Sequence, residues 1–160
     1  MKLTIIAVGR LKRGPDEALF QHYIDRCGPL SAAVGFRIVP PVTLPENKAR
    51  QRKDRCAAEA EAILKHCKAG DCLVALDERG SQFTSAEFAG FLQDQQRDSA
   101  AGISFLLGGP DGHGDVVLKA ASKRLSLSKF TLPHGLARIV LAEQIYRALT
   151  IMAGHPYHRP

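Results

Sequence analysis

Short, almost wholly apolar runs recur along this chain, and helical segments lie between them. Leu3–Val8 stops at Gly9, and Phe36–Val39 stops at Pro40-Pro41. Cys72–Leu76 stops at Asp77-Glu78-Arg79-Gly80, and Ile103–Leu107 at Gly108-Gly109-Pro110. Runs of this kind are strands buried on both faces, as in a parallel sheet covered by helices. A fifth, short strand is expected over Leu125–Phe130.

The segments between them carry helix signals. Pro15-Asp16-Glu17 opens a helix with acids in its first turn, and Gly28-Pro29 is expected to end it. Pro45-Glu46-Asn47 is expected to open a second helix, basic at first and alanine-rich later, that stops at Gly70. Thr84-Ser85-Ala86-Glu87 is a capping box, which predicts a helix toward Gln96. A short helix is expected over Asp115–Ser122, and a last one from Gly135 to Ala153, with Gly154 as its cap. The order is β-α five times over. It predicts one α/β domain over residues 1–160, a mainly parallel sheet with helices on both faces.

A chain of 160 residues suffices for one sizeable core. No apolar run approaches membrane-spanning length, and Met1–Val8 reads as a first strand with no cleavage signal. A cytoplasmic protein is expected. Cys27, Cys56, Cys67 and Cys72 form no CxxC pair, so reduced thiols are expected and no metal site. The net charge of +6 is unevenly placed. Residues 1–70 hold 13 Lys/Arg against 7 Asp/Glu, while residues 71–160 hold nine of each. Lys48, Arg50, Arg52, Lys53 and Arg55 are closely grouped, and a basic face of this kind attracts nucleic acid.

In open α/β sheets, ligands bind outside the carboxyl ends of the strands. Three loops are expected there: Asp77–Gly80, Gly108–Gly112 and Lys129–His134. The glycine loop matches neither GxGxxG nor a phosphate-binding loop, and no serine sits in a nucleophile elbow. The last helix is apolar almost all round, with Arg138, Glu143, Gln144 and Arg147 its few polar residues. Such a helix is buried on several sides, either within one core or by a second copy of the chain. His155, Tyr157, His158 and Arg159 cluster on the tail, where rings can stack on a base or move a proton and arginine can pair with phosphate.

Several motifs now combine. They are Met1–Gly9, Leu76–Gly80, Phe105–Gly112, Leu125–His134, Arg138–Ala148 and the terminal His155-Pro156-Tyr157-His158-Arg159. Together, and in this order, they resemble the RlmH family, a minimal group within the SPOUT class of S-adenosylmethionine-dependent RNA methyltransferases. The resemblance covers essentially the whole chain. It departs from the family in ending at Pro160 and in the strongly basic Lys48–Arg55.

That resemblance implies methylation of N3 of a pseudouridine in large-subunit (23S) ribosomal RNA on the assembled ribosome. It also implies a homodimer and a C-terminal trefoil knot, which general topology rules would not predict. Carried over, the S-adenosylmethionine site uses Leu76, Gly108, Leu127, Ser128, Lys129, Phe130, Thr131 and Leu132. Tyr157, His158 and Arg159 reach the target base across the dimer. Two other classes compete on the residues alone: a non-catalytic ribosome- or RNA-binding module, and a nucleotide-binding α/β enzyme.

Overall fold

The computed structural model describes residues 1–159; Pro160 lies outside them. Six strands and five helices follow one another along the chain. They are β1 (Lys2–Val8), α1 (Pro15–Ala33), β2 (Arg37–Ile38), β3 (Val42–Leu44), α2 (Arg52–His66) and β4 (Asp71–Ser81). Then come α3 (Ser85–Arg97), β5 (Gly102–Leu107), α4 (Asp115–Ala120), β6 (Lys123–Leu125) and α5 (His134–Met152). The sheet runs β2-β1-β5-β4-β6, with β3 also on β1, and all its ladders are parallel.

Strand periodicity sorts the core into two layers. Leu3, Ile5 and Ala7 of β1 and Ile103, Phe105 and Leu107 of β5 face one side. There they meet α1, α3 and α5 through Phe20, Phe88 and Leu141. Ile6, Val8 and Leu106 face the other side, against Ala60 and Ile63 of α2 and Val117 of α4. Helices on both faces explain why the strands carry no polar alternation.

The structure carries β4 past Leu76, through the expected Asp77–Gly80 loop to Ser81, where it pairs with Leu125 again. It also corrects four other boundaries. First, α1 continues through Gly28-Pro29 to Ala33. Both residues are exposed while Cys27 and Ser31 beside them are buried, so core packing carries the helix past the proline. Second, Pro40-Pro41 interrupts the edge of β1 without ending it. β2 pairs with Lys2 and Leu3, and β3 resumes along Ile6 to Val8. Third, the second helix starts at Arg52, well after Pro45. The Arg55 guanidinium donates to the carbonyls of Ala49 and Arg50, and the Asn47 side chain takes the Ala49 N–H. Those groups are therefore unavailable to an earlier helical turn. Fourth, the last strand is Lys123–Leu125, and residues 126–133 form a loop beyond it.

The apolar circumference of α5 is largely covered within one chain. Ile139, Leu141, Ala142, Ile145, Tyr146, Ala148 and Leu149 are buried, and Leu136 is the large apolar side chain left exposed on it. Packing against α1, α3 and the sheet thus accounts for most of its hydrophobicity.

Candidate functional site

Where β4, β5 and β6 end, their loops enclose a cavity of about 590 Å³. Its size is typical of a small-molecule site. Leu76, Leu118, Leu125, Leu127, Leu132 and Ala137 supply apolar walls. Ser126, Ser128 and Thr131 supply hydroxyls and backbone groups on one side, and Gly109 to His113 form the other. A smaller hollow of about 270 Å³ between α3 and α5 shares Leu125, Ser126 and Leu127.

The β6 loop is shaped by its own serines. Ser126 Oγ donates to the Ser128 carbonyl at 2.8 Å, and Ser128 Oγ accepts from Phe130 N–H at 2.9 Å. These local bonds replace the strand ladder and end β6 at Leu125. The turn leaves Phe130 at the cavity mouth with 83% of its surface exposed. β4 contributes a bulge: Leu76 and Ser81 both align with Leu125, so residues 77–80 of the strand are the extra ones. Gly80 makes that possible, since a Cβ there would stand 2.6 Å from the backbone of Arg124 and Leu125.

The glycine loop folds on itself through a Gly109–Gly112 bridge. A Cβ on Gly108 would meet the Gly112 carbonyl at 2.7 Å, and one on Gly109 would meet the buried Glu59 carboxylate at 2.8 Å. These glycines are required for close approach of backbone to backbone and to α2. The loop is also tied to α2 from outside. Arg55 Nε donates to Asp111 Oδ2 at 2.6 Å, and Arg52 donates to the Asp111 carbonyl at 2.9 Å. The Arg55 hydrogen bond holds the Asp111 carboxyl below its ordinary range. At the loop's end, His113 Nε2 lies 3.0 Å from the Leu106 carbonyl. Burial pushes its pKa down, and its Nδ1 has no partner.

Of the residues expected in the cofactor site, Leu76, Leu127, Ser128, Phe130, Thr131 and Leu132 line the cavity. Gly108 and Lys129 belong to the same loops but do not line it. The tail does not line it either. Tyr157 OH donates to Glu143 Oε1 at 3.2 Å, and its ring meets Tyr146 edge-on at 4.7 Å. Arg147 also binds Glu143 and stacks on Tyr157. Glu143 lies about 9 Å along the helix from Ala137 and roughly 120° round it, by ideal helix geometry. The tail therefore docks on a different side of α5 from its own chain's cavity. Burial pushes the Tyr157 hydroxyl up to about 12. His158 is half-buried, its Nδ1 without a partner among the described residues, and Arg159 is exposed.

Arg138 is 2% exposed and serves neither place. It donates to the Val8 carbonyl at 2.7 Å, to the Gly9 carbonyl and to His134 Nε2, and so fixes the end of β1 to α5. His134 must be neutral to accept, and burial with the Arg138 charge lowers its pKa. Sequence reasoning missed Glu59, Leu118 and Ala137 in this region. Glu59 sits in an alanine-rich helical run whose spacing gives no sign that its carboxylate is buried under the glycine loop.

Among the described residues, no three His, Cys, Asp or Glu side chains group to hold a metal. All four cysteines are free thiols, and burial raises Cys27 to about 12. No helix is long and apolar enough to cross a membrane.

Known proteins share this chain's full length. A family model described as a predicted SPOUT methyltransferase matches residues 1–158. A protein of Methylocella silvestris named ribosomal RNA large subunit methyltransferase H is 45% identical over 159 residues, 99% of each chain. Proteins of the same name from Xanthobacter autotrophicus and Afipia carboxidovorans are 42% and 45% identical, again over 99% of both chains.

Proposed function

This chain belongs to the SPOUT methyltransferase family, and from that premise we propose that it methylates N3 of a pseudouridine in large-subunit (23S) ribosomal RNA on the assembled ribosome. The methyl donor is S-adenosylmethionine, and the active unit is a cytoplasmic homodimer of one-domain chains. The observation that carries the reading is the cavity at the β4, β5 and β6 ends, walled by six of the eight expected cofactor residues.

The donor set fits S-adenosylmethionine. Leu76, Leu127 and Leu132 give flat apolar walls for an adenine, and the backbone of residues 126–132 gives hydrogen-bonding groups for its edge. Ser128 and Thr131 add hydroxyls, while Gly108 and Lys129 belong to the same two loops. Gly109 and Gly112 shape the loop through their bridge. The bound cofactor supplies an electrophilic methyl group on a sulfonium. What the chain contributes is mainly position.

The N3 nitrogen loses a proton as its bond to carbon forms. Tyr157 keeps its own proton at neutral pH, with its pKa near 12, so His158 is the better acceptor. Arg159 grips a phosphate or steadies the developing negative charge. Because the tail docks away from its own cavity, these three residues serve the partner's crevice. The trefoil knot belongs to the same reading.

Two experiments test this. Calorimetry should find binding of S-adenosylmethionine and S-adenosylhomocysteine and none of ATP; absence of all binding would favour a non-catalytic RNA-binding module. Mixing Leu127→Asp with His158→Ala chains should restore activity, since one composite site per mixed dimer is intact. No recovery would refute tail exchange.

A further inference from the structure

We propose that the exposed basic edge at the start of α2, formed by Lys48, Arg50 and Lys53, is a second contact for RNA, gripping backbone phosphates beside the crevice. The proposal rests on the RNA-methylating reading and adds a surface to it.

The edge is built rather than incidental. Asn47 N–H donates to the buried Glu59 carboxylate at 2.9 Å, which anchors the segment before α2. Arg55 then clamps the carbonyls of Ala49 and Arg50 at 3.0 Å each and binds Asp111 at 2.6 Å. Arg55 is thereby committed to folding. Lys48, Arg50 and Lys53 point outward, exposed, and none makes a side-chain hydrogen bond or ion pair among the described residues. Arg52 joins this edge to the crevice: its side chain is 71% exposed and it lines the cavity.

The arrangement runs against local preference. The positive end of a helix favours acidic side chains, and this one has Arg52, Lys53 and Arg55 in or near its first turn with Asp54 the lone acid. Gln51 provides no side-chain cap. Local rules are broken most often where function requires it. Here the charges and the uncapped helix end favour an anion on the same side. Asp111, the nearest acid in the loop, is already neutralised by Arg55. The acids nearby are Glu46 and Asp54 beside the edge and Asp77, Glu78 and Asp115 on the crevice lining, so positive charge prevails on the edge itself. The whole excess of positive charge in the chain lies in its first 70 residues, and this edge is its densest part.

RNA bound here would also bear on the loop that shapes the cavity, because Arg52 and Arg55 join edge and loop at Asp111. The occupant is the RNA backbone. An acidic protein of the ribosome is the competing occupant, and the test separates them.

The test uses the full-length Lys48→Gln/Arg50→Gln/Lys53→Gln variant with large ribosomal subunits and, separately, with protein-free 23S RNA. S-adenosylmethionine affinity and melting temperature should stay at wild-type values. Binding to subunits and to naked RNA should both weaken about tenfold or more near physiological salt, and the slope of log affinity against log salt should fall by about 2–3, one contact per charge. KM for the RNA substrate should rise while kcat holds. The charge-keeping variant Lys48→Arg/Arg50→Lys/Lys53→Arg should restore all three. Unchanged binding and slope would overturn the proposal. Weakened subunit binding with unchanged RNA binding would overturn it in favour of an acidic protein. Binding is read without turnover, so a wild-type chain that binds RNA but transfers no methyl group refutes the proposed reaction and leaves the edge standing.

Discussion

The crevice and the tail platform sit on different sides of α5, and their chemistry differs in kind. On the platform, Glu143 accepts from Arg147, Gln144 and Tyr157, and Arg26 donates to Tyr146 while lying over its ring at 4.3 Å. Polar groups there have found partners. The crevice has bare leucine walls, a phenylalanine almost wholly in solvent and a buried His113 nitrogen without a partner. A surface whose groups are satisfied holds structure together, while one whose groups are not is waiting for a ligand. Among the described residues, His158 Nδ1 breaks the pattern on the platform side, and His158 is the residue assigned to the chemistry.

Substitutions on each side can break this distinction. The largest effect is expected from Leu127→Asp, which puts a carboxylate into an apolar wall. S-adenosylmethionine affinity should fall roughly 100-fold, about 2.7 kcal/mol, by calorimetry. Glu143→Ala removes the shared acceptor on the platform. It should cost about 1 kcal/mol in urea denaturation, because half-buried donors lose their partner, and leave cofactor affinity unchanged. If Glu143→Ala weakened cofactor binding as much as Leu127→Asp, the two regions would not be separable. Phe130→Ala sharpens the comparison further. An exposed ring supports little of the fold, so stability should stay within about 0.5 kcal/mol while methyl transfer drops about tenfold in a radiolabel assay.

The smallest effect is a pH dependence. Burial lowers the pKa of both His113 and His134 below the ordinary histidine value. The unfolded chain therefore takes up protons first as pH falls. Stability should be level above about pH 7 and decline below about 6.5 until the folded pKa values are passed. His134→Gln should flatten part of that decline in denaturation curves between pH 7.5 and 5. An equal slope in the variant would show that His134 does not contribute.

Much of this was legible in the sequence. The apolar runs at β1, β4 and β5 reported strands buried on both sides, because period-2 side chains find a hydrophobic layer on either face. Three segments were placed at a crevice, and all three line it, although Asp77–Gly80 does so from a bulge within β4 and not from a loop at its end. What pattern could not show were contacts between distant parts of the chain. The start of α2 depends on Arg55 reaching back to two carbonyls, and the survival of α1 past Pro29 depends on core packing beyond it. The glycine loop matched no nucleotide-binding spacing, and Gly108 entered the cofactor site through the family resemblance. Its close approach to Gly112, four residues on, also requires glycine there, which spacing alone could not show. The tail looked like one group of functional residues, yet Tyr157 is a docked ring whose hydroxyl is committed to Glu143.

The most direct test of the central claim is mass spectrometry of 23S RNA after ribosomes lacking the modification are incubated with this protein and methyl-labelled S-adenosylmethionine. One labelled methyl group on N3 of a single pseudouridine, in assembled ribosomes and abolished by Leu127→Asp, is the predicted result. RNA that leaves the reaction unlabelled would contradict the account.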